Sequence, residues 1–161
     1  MKLKHIFLII FCILILYFLI GLFIKQQTPV QTGQVIKQTA VETKNICYKQ
    51  QCFSVEVAKT TVEMEKGLMF RENLDENNGM LFIFNNSGKY NFWMKNTLIP
   101  LDIIWINKNI EIVDIKENVP PCKQEPCEIY SPKTEAWYVL EVNGGSVKMN
   151  NISIGDKLNI S

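Results

Sequence analysis

The feature that most constrains this chain is Ile6–Ile24, nineteen consecutive residues without a formal charge. At roughly 1.5 Å per residue such a run forms a helix about 28 Å long, close to a hydrocarbon core of roughly 30 Å. A segment of that length can span a bilayer. A cleaved signal peptide carries a shorter apolar run, and no small-x-small cleavage site follows around Gly21–Phe23. Cys12 lies inside the run behind Ile10 and Phe11 rather than behind small residues, so it is expected as a membrane-buried thiol and not as a lipoprotein cysteine. Lys2, Lys4 and His5 precede the span and Lys25 follows it, which places the N-terminus in the cytoplasm. The expectation is a single-pass cell-membrane protein with residues 1–25 as a signal anchor, held to the membrane by Ile6–Ile24, and an extracytoplasmic domain.

Once the chain is divided, its average composition loses meaning. The totals are 17 Lys+Arg against 16 Asp+Glu, with 47% hydrophobic residues. Asn45 to Ser161 alone carries 12 basic and 15 acidic side chains. A slightly acidic domain excludes a basic nucleic-acid module, so no nucleic-acid partner is expected. Residues 26–44, rich in Gln and Thr with no sustained periodicity, read as a flexible tether. What remains, residues 45–161, suffices for one small domain with its own core and not for two.

That domain reads as mainly β. Phe53, Val55 and Val57 alternate with Ser54 and Glu56 as in a half-buried strand. Thr60 with Glu63 forms a capping-box signature and Gly67 supplies a stop, so a short helix lies between them. Further strand-like runs are Met80–Phe84, Asn91–Lys95, Leu101–Asn107, Ile110–Asn118, Ala136–Val142 and Lys157–Ile160. Asn107-Lys108-Asn109 predicts a tight hairpin, and Asn77-Asn78-Gly79 and Ser87-Gly88 predict turns around Met80–Phe84. Several short strands with one or two short helices predict a compact β-sandwich or partly closed β-barrel behind a single N-terminal transmembrane helix.

Four cysteines fall in two matching pairs, Cys47-x4-Cys52 and Cys122-x4-Cys127. In an oxidising compartment two local disulfides, Cys47–Cys52 and Cys122–Cys127, are the simplest reading. The rival reading is a four-thiolate zinc site made of two knuckles. The disulfide reading is preferred because the topology puts the domain outside the cytosol, and no metal or cofactor is then expected.

The single histidine is His5, so the domain holds no Ser-His-Asp or Cys-His machinery. Phosphate-cradling glycine loops are absent as well. Carboxylate, arginine and aromatic chemistry remain. In a strand over Leu101–Ile106, Asp102 shares a face with Ile104 and Ile106, while Glu141 shares one with Trp137 and Val139. Carboxylates on apolar faces need partners. Arg71, the only arginine, is suited to meet a carboxylate bidentately. The candidate binding residues are accordingly Arg71, Trp93, Lys95, Asn96 and Thr97, with Asp102 and Glu141 as candidate acid/base groups. The same residues also suit a satisfied polar network in a β core. Met64, Met69, Met80 and Met94, like Trp93, Trp105 and Trp137, read first as core filling. Sequons begin at Asn85, Asn151 and Asn159.

The blocks Gly67-Leu68-Met69-Phe70-Arg71, Gly79-Met80-Leu81-Phe82, Phe92-Trp93-Met94-Lys95-Asn96-Thr97, Pro100-Leu101-Asp102, Tyr138-Val139-Leu140-Glu141 and Gly155-Asp156 occur in that order. Over about residues 46–160 the chain thereby resembles domain-of-unknown-function family 192. The resemblance implies a compact, mainly β domain of bacteria and archaea, often behind a signal peptide or anchor, and it brings no activity. Arg71, Trp93, Asn96, Asp102 and Glu141 are the polar positions that match.

Two functions follow as expectations. One is a non-enzymatic module, anchored and facing outward, that presents a pocket near Trp93, Asn96 and Asp102 to a small ligand or envelope protein. The alternative is a hydrolase-like enzyme in which Asp102 and Glu141 divide acid and base roles while Arg71 orients the substrate.

Overall fold

The computed structural model describes residues 13–21 and 41–161. Residues 13–21 form a helix, α1, whose apolar side chains, Tyr17 and Phe18 among them, are exposed. Among the described residues no helix is long and apolar enough to cross a membrane. The remainder of the expected Ile6–Ile24 span, Cys12, the flanking charges and residues 26–40 of the expected tether lie outside the described residues.

Residues 41–161 form one compact unit. In chain order its elements are β1 (Thr43–Tyr48), β2 (Gln51–Ala58), α2 (Thr61–Lys66), β3 (Asn78–Gly88), β4 (Phe92–Trp93) and β5 (Leu101–Ile106). They continue as β6 (Ile112–Val119), β7 (Ile129–Tyr130), β8 (Ala136–Asn143), α3 (Ser146–Met149) and β9 (Asn159–Ile160). Seven strands make one sheet in the order β6-β5-β8-β3-β2-β1-β9, and β4 pairs separately with β7.

All of the sheet's neighbours are antiparallel except β2 and β3. A parallel pair needs a crossover connection rather than a tight turn. Residues 59–77, including α2, provide it and are laid across one face of the sheet.

The sheet curls, and the C-terminal segment ties its two edges together. Ile160 pairs with Ile46 of β1. Further back along the same segment, Leu158 N–H donates to Ile110 C=O at 2.9 Å and Gly155 N–H to Ile112 C=O at 2.8 Å. The result is a curled half-barrel, the partly closed alternative of the two predicted forms. A two-sheet sandwich does not form, because seven strands stay hydrogen-bonded in one sheet.

Both faces of this sheet are dry. The inner core is built from Ile46, Phe53, Val55, Leu81, Ile104, Leu140 and Val142 with Val147 of α3. The outer core contains Leu68, Met80, Phe82, Met94, Ile103, Trp105 and Val139. Every residue of β5 is buried, since it is covered on both sides. At about 25 cal/mol per Å² of apolar surface, two such layers dominate the stability of so small a unit.

Local signals act as the side chains dictate. Thr60 and Glu63 form a complete capping box, with Glu63 N–H donating to Thr60 Oγ1 at 3.3 Å and Thr60 N–H to Glu63 Oε2 at 2.9 Å. Asn107 Oδ1 accepts from the N–H groups of Asn109 and Glu111 and holds the β5–β6 hairpin. Two predicted turns are instead strand. Asn78-Gly79 opens β3, where Gly79 is required by close approach: a Cβ there would stand 2.4 Å from Glu141 C=O. Ser87-Gly88 closes β3 across an irregular register between Ile83 and Gly88.

Candidate functional site

Asp102 lies on the inner face, opposite Val142 in register, and is fully buried. Its carboxylate accepts three backbone hydrogen bonds, from Asn118 N–H (2.6 Å), Gly145 N–H (3.0 Å) and Val147 N–H (2.7 Å). These donors belong to the end of β6, to the N-cap of α3 and to the first turn of α3 itself. Gly145 takes φ 93° there, a conformation that suits glycine. Asp102 thus ties two chain reversals to the sheet.

Glu141 lies on the outer face, between Met80 and Ile103 in register. It is 5% exposed and makes no hydrogen bond or ion pair among the described residues. Desolvation alone pushes its carboxyl up to about 8. At neutral pH this group is therefore a protonated acid set among apolar side chains. The predicted acid/base pair is corrected by this arrangement: Asp102 and Glu141 are on opposite sides of the sheet and open into no common cleft.

Arg71 does not meet either of them. Its guanidinium binds Glu56 of β2 bidentately, Nη1 to Oε1 and Nη2 to Oε2, each at 2.6 Å. Glu56 stands opposite Met80, which stands opposite Glu141, so the ion pair and the lone carboxyl share one transverse row of the outer face. Arg71 is held as a fastener for the 67–77 loop, and it is not free to orient a substrate as predicted. Glu56 was detectable as the polar member of an alternating strand, yet nothing in the spacing connects it to Arg71.

The Trp93-to-Thr97 block is split by the structure among several tasks. Thr97 is buried in the loop before β5, and Asn96 takes φ 55° beside it. Asn96 C=O accepts from Phe70 N–H at 2.8 Å, joining this loop to the one that carries Arg71. Lys95 reaches Glu125 at 2.8 Å and lies 5.2 Å from the centroid of the Trp93 ring. Trp93 itself is 46% exposed, unlike Trp105, which is buried with its indole N–H on Tyr90 C=O at 2.8 Å.

Beside Trp93 runs an open groove of about 560 Å³. Phe82 and Phe84 of β3 line it together with Tyr90, Phe92 and Trp93, and α2 contributes Thr61, Met64 and Glu65 from the far side. Phe84 and Tyr90 are stacked with ring centroids 3.4 Å apart. Phe92 meets Phe82 and Trp105 edge to face, at 4.9 and 6.0 Å. Of the predicted binding residues only Trp93 enters this groove. Its other aromatics have a strand-spaced signature, Phe82-x-Phe84 and Tyr90-x-Phe92, that marks one side of adjacent extended segments.

Cys47 is bonded to Cys52 across the β1–β2 hairpin, and Cys122 to Cys127 in the loop ahead of β7. No cluster of metal-ligating side chains occurs among the described residues.

A curled half-barrel sheet with an apolar outer face, strapped by a crossover loop and edged by an aromatic groove, defines a small mainly β domain. The chain belongs to the family DUF192, described as "Uncharacterized ACR, COG1430", whose model matches residues 42–160. It is similar to two proteins named UPF0127 protein. The one from Thermococcus sibiricus is 29% identical over 109 residues, 65% of this chain and 64% of that one. The one from Thermococcus gammatolerans is 29% identical over 107 residues, 63% of each. The chain thus spans a little under two thirds of the length of these relatives. Among solved structures it is similar to a Sinorhizobium meliloti 1021 protein described as a "putative transcription regulator", with TM-score 0.67 and 35% identity, covering 74% of this chain and 93% of that one. A protein of unknown function from Novosphingobium aromaticivorans gives TM-score 0.66 and 33% identity, covering 74% and 84%.

Proposed function

We propose that this protein is a membrane-anchored, outward-facing binding module without catalytic chemistry of its own, and that its ligand site is the aromatic groove between α2 and β4. One observation carries the proposal: a large, half-exposed Trp93 forms the wall of a groove whose size lies in the usual range for small-molecule sites. Aromatic side chains left open to solvent beside a preformed concavity are costly unless something covers them. The anchor rests on the uncharged run Ile6–Ile24, and the exposed apolar surface of α1 is consistent with a lipid surround.

The description of the Sinorhizobium meliloti relative is not carried over as DNA binding. With 12 basic and 15 acidic residues from Asn45 to Ser161, this domain lacks the positive field that holds a phosphate backbone. Nor is the hydrolase alternative retained, since its two carboxyl groups are separated by the sheet.

The test is a ligand-observed NMR screen of small molecules against the full-length chain, repeated with Trp93→Ala. Hits should lose their contact with the variant. Hits that bind both proteins equally would remove the groove from consideration. Membrane fractionation with external protease checks the anchor: the domain should be cleaved from intact cells, and a protected or freely soluble domain would contradict it.

A further inference from the structure

The groove's lining has a composition that narrows what it can hold. Neutral sugars and nucleosides are recognised by an aromatic platform plus several hydrogen-bonding side chains. Here five aromatic rings and Met64 are accompanied by only three polar residues, Thr61, Glu65 and Asn91. Among these Glu65 carries the only charge, and it makes no ion pair among the described residues. An aromatic wall with a single carboxylate matches a cation whose own surface is apolar. The negative faces of the rings attract the charge, and the apolar surface needs no hydrogen-bond partners.

A second observation points the same way. The Lys95 ammonium is already drawn to the Trp93 ring, at 5.2 Å from its centroid. Lys95 does not line the groove, and Glu125 holds it at 2.8 Å, so it leaves the cavity itself open. The ring is therefore one that a cation approaches in this protein. An ordinary ammonium such as Lys95 is strongly hydrated and keeps a carboxylate partner. A methylated one is weakly hydrated and can enter a ring-lined space.

From this lining we infer that the groove binds a free quaternary ammonium compound, with the trimethylammonium group among Phe84, Tyr90, Phe92 and Trp93 and with Glu65 balancing its charge. A phosphocholine lipid headgroup is the less fitting source of the same cation. No Lys or Arg lines the groove to meet its phosphate. The inference rests on the groove being the ligand site, as proposed above, and supplies the chemical class of its ligand.

Choline chloride is the probe, titrated into the full-length chain in maltoside micelles with tryptophan fluorescence and NMR as readouts. Its neutral isostere 3,3-dimethyl-1-butanol is the control. Choline should bind about tenfold more tightly than the isostere, the scale expected of a cation over aromatic faces. Trp93→Ala should abolish the preference and Glu65→Gln should reduce it by several-fold. Lys95→Met should strengthen choline binding by removing a competing charge, an outcome that a merely structural Lys95 would not give. Equal binding of choline and the isostere, at a site lost in Trp93→Ala, would overturn the cation assignment while leaving the groove as a binding site. Failure of both to bind, together with screen hits insensitive to Trp93→Ala, would overturn the groove itself. Tighter binding of phosphatidylcholine vesicles than of choline would overturn the assignment to a free solute.

Discussion

Asp102 and Glu141 sit on adjacent strands one register step apart and point to opposite faces of the sheet, since Ile103 is the residue directly opposite Glu141 and Val142 the one opposite Asp102. Two carboxyl groups that look alike in sequence therefore have unrelated surroundings. One accepts from three peptide N–H groups, and the other has no hydrogen-bond partner among the described residues and is raised by desolvation. Their chemistry follows from those surroundings, and so do opposite responses to substitution.

For Asp102→Ala the expected result is a loss of about 3 kcal/mol, because three backbone N–H donors, the Val147 one buried and the other two part-buried, lose their acceptor together. Asp102→Asn should cost less but still substantially, since its amide nitrogen presents a donor where an acceptor is needed. Urea unfolding of both variants measures this. A near-neutral Asp102→Ala would mean that water or neighbouring carbonyls satisfy those groups instead.

Glu141→Gln is expected to stabilise the protein near neutral pH. Unfolded, the carboxyl titrates near its model value of 4.5; folded, near about 8. Below the first value both states hold the proton, and no difference arises. Between the two the unfolded chain has released it and the folded chain has not, so stability falls as pH rises, by up to about 1.4 kcal/mol per pH unit. Above the second value the loss levels off. Unfolding midpoints between about pH 5.5 and 7.5 should slope in the native protein and flatten in the variant. Parallel slopes in the two proteins would show that Glu141 ionises as readily folded as unfolded.

Arg71 and Glu56 should couple in a double-mutant cycle by about 1 kcal/mol, the scale of a bidentate, partly exposed ion pair. Arg71→Lys should lose most of it, because an ammonium cannot engage both oxygens in the planar fork. Additive effects of Arg71→Ala and Glu56→Ala would show that the pair holds the crossover loop no better than solvent does.

Non-reduced peptide mapping should find Cys47 linked to Cys52 and Cys122 linked to Cys127. Each closes so short a loop that reduction should cost about 2 kcal/mol in the chain-entropy picture. Four free thiols in the native protein, or bound zinc, would contradict the pairing.

The parts of this fold that were legible in sequence are those fixed by near neighbours. The capping box at Thr60 and Glu63, the alternation through Phe53, Val55 and Val57, and the Asn107 turn all act within a few residues. Apolar partners for Asp102 and Glu141 could likewise be read from strand alternation. What could not be read is pairing between distant strands. Nothing local says that β2 and β3 run parallel, yet that pairing lays the Gly67–Arg71 loop over the outer face and gives Arg71 to Glu56. Gly79 looked like a turn residue because its neighbours are asparagines, but its lack of a side chain serves the approach of Glu141's backbone. Trp93 reads both as a candidate binding residue and, with Trp105 and Trp137, as core filling. Its exposure depends on β4 leaving the main sheet to pair with β7, which no alternation pattern reveals.

The pairing of β9 with β1 has a mechanical meaning. Asn45 and Ser161 exchange both backbone hydrogen bonds, at 2.9 and 3.0 Å, so the first strand of the domain is gripped on one side by β2 and on the other by the β9 segment. A pull arriving through the residues ahead of Thr43 is then shared between two neighbours instead of peeling a free edge.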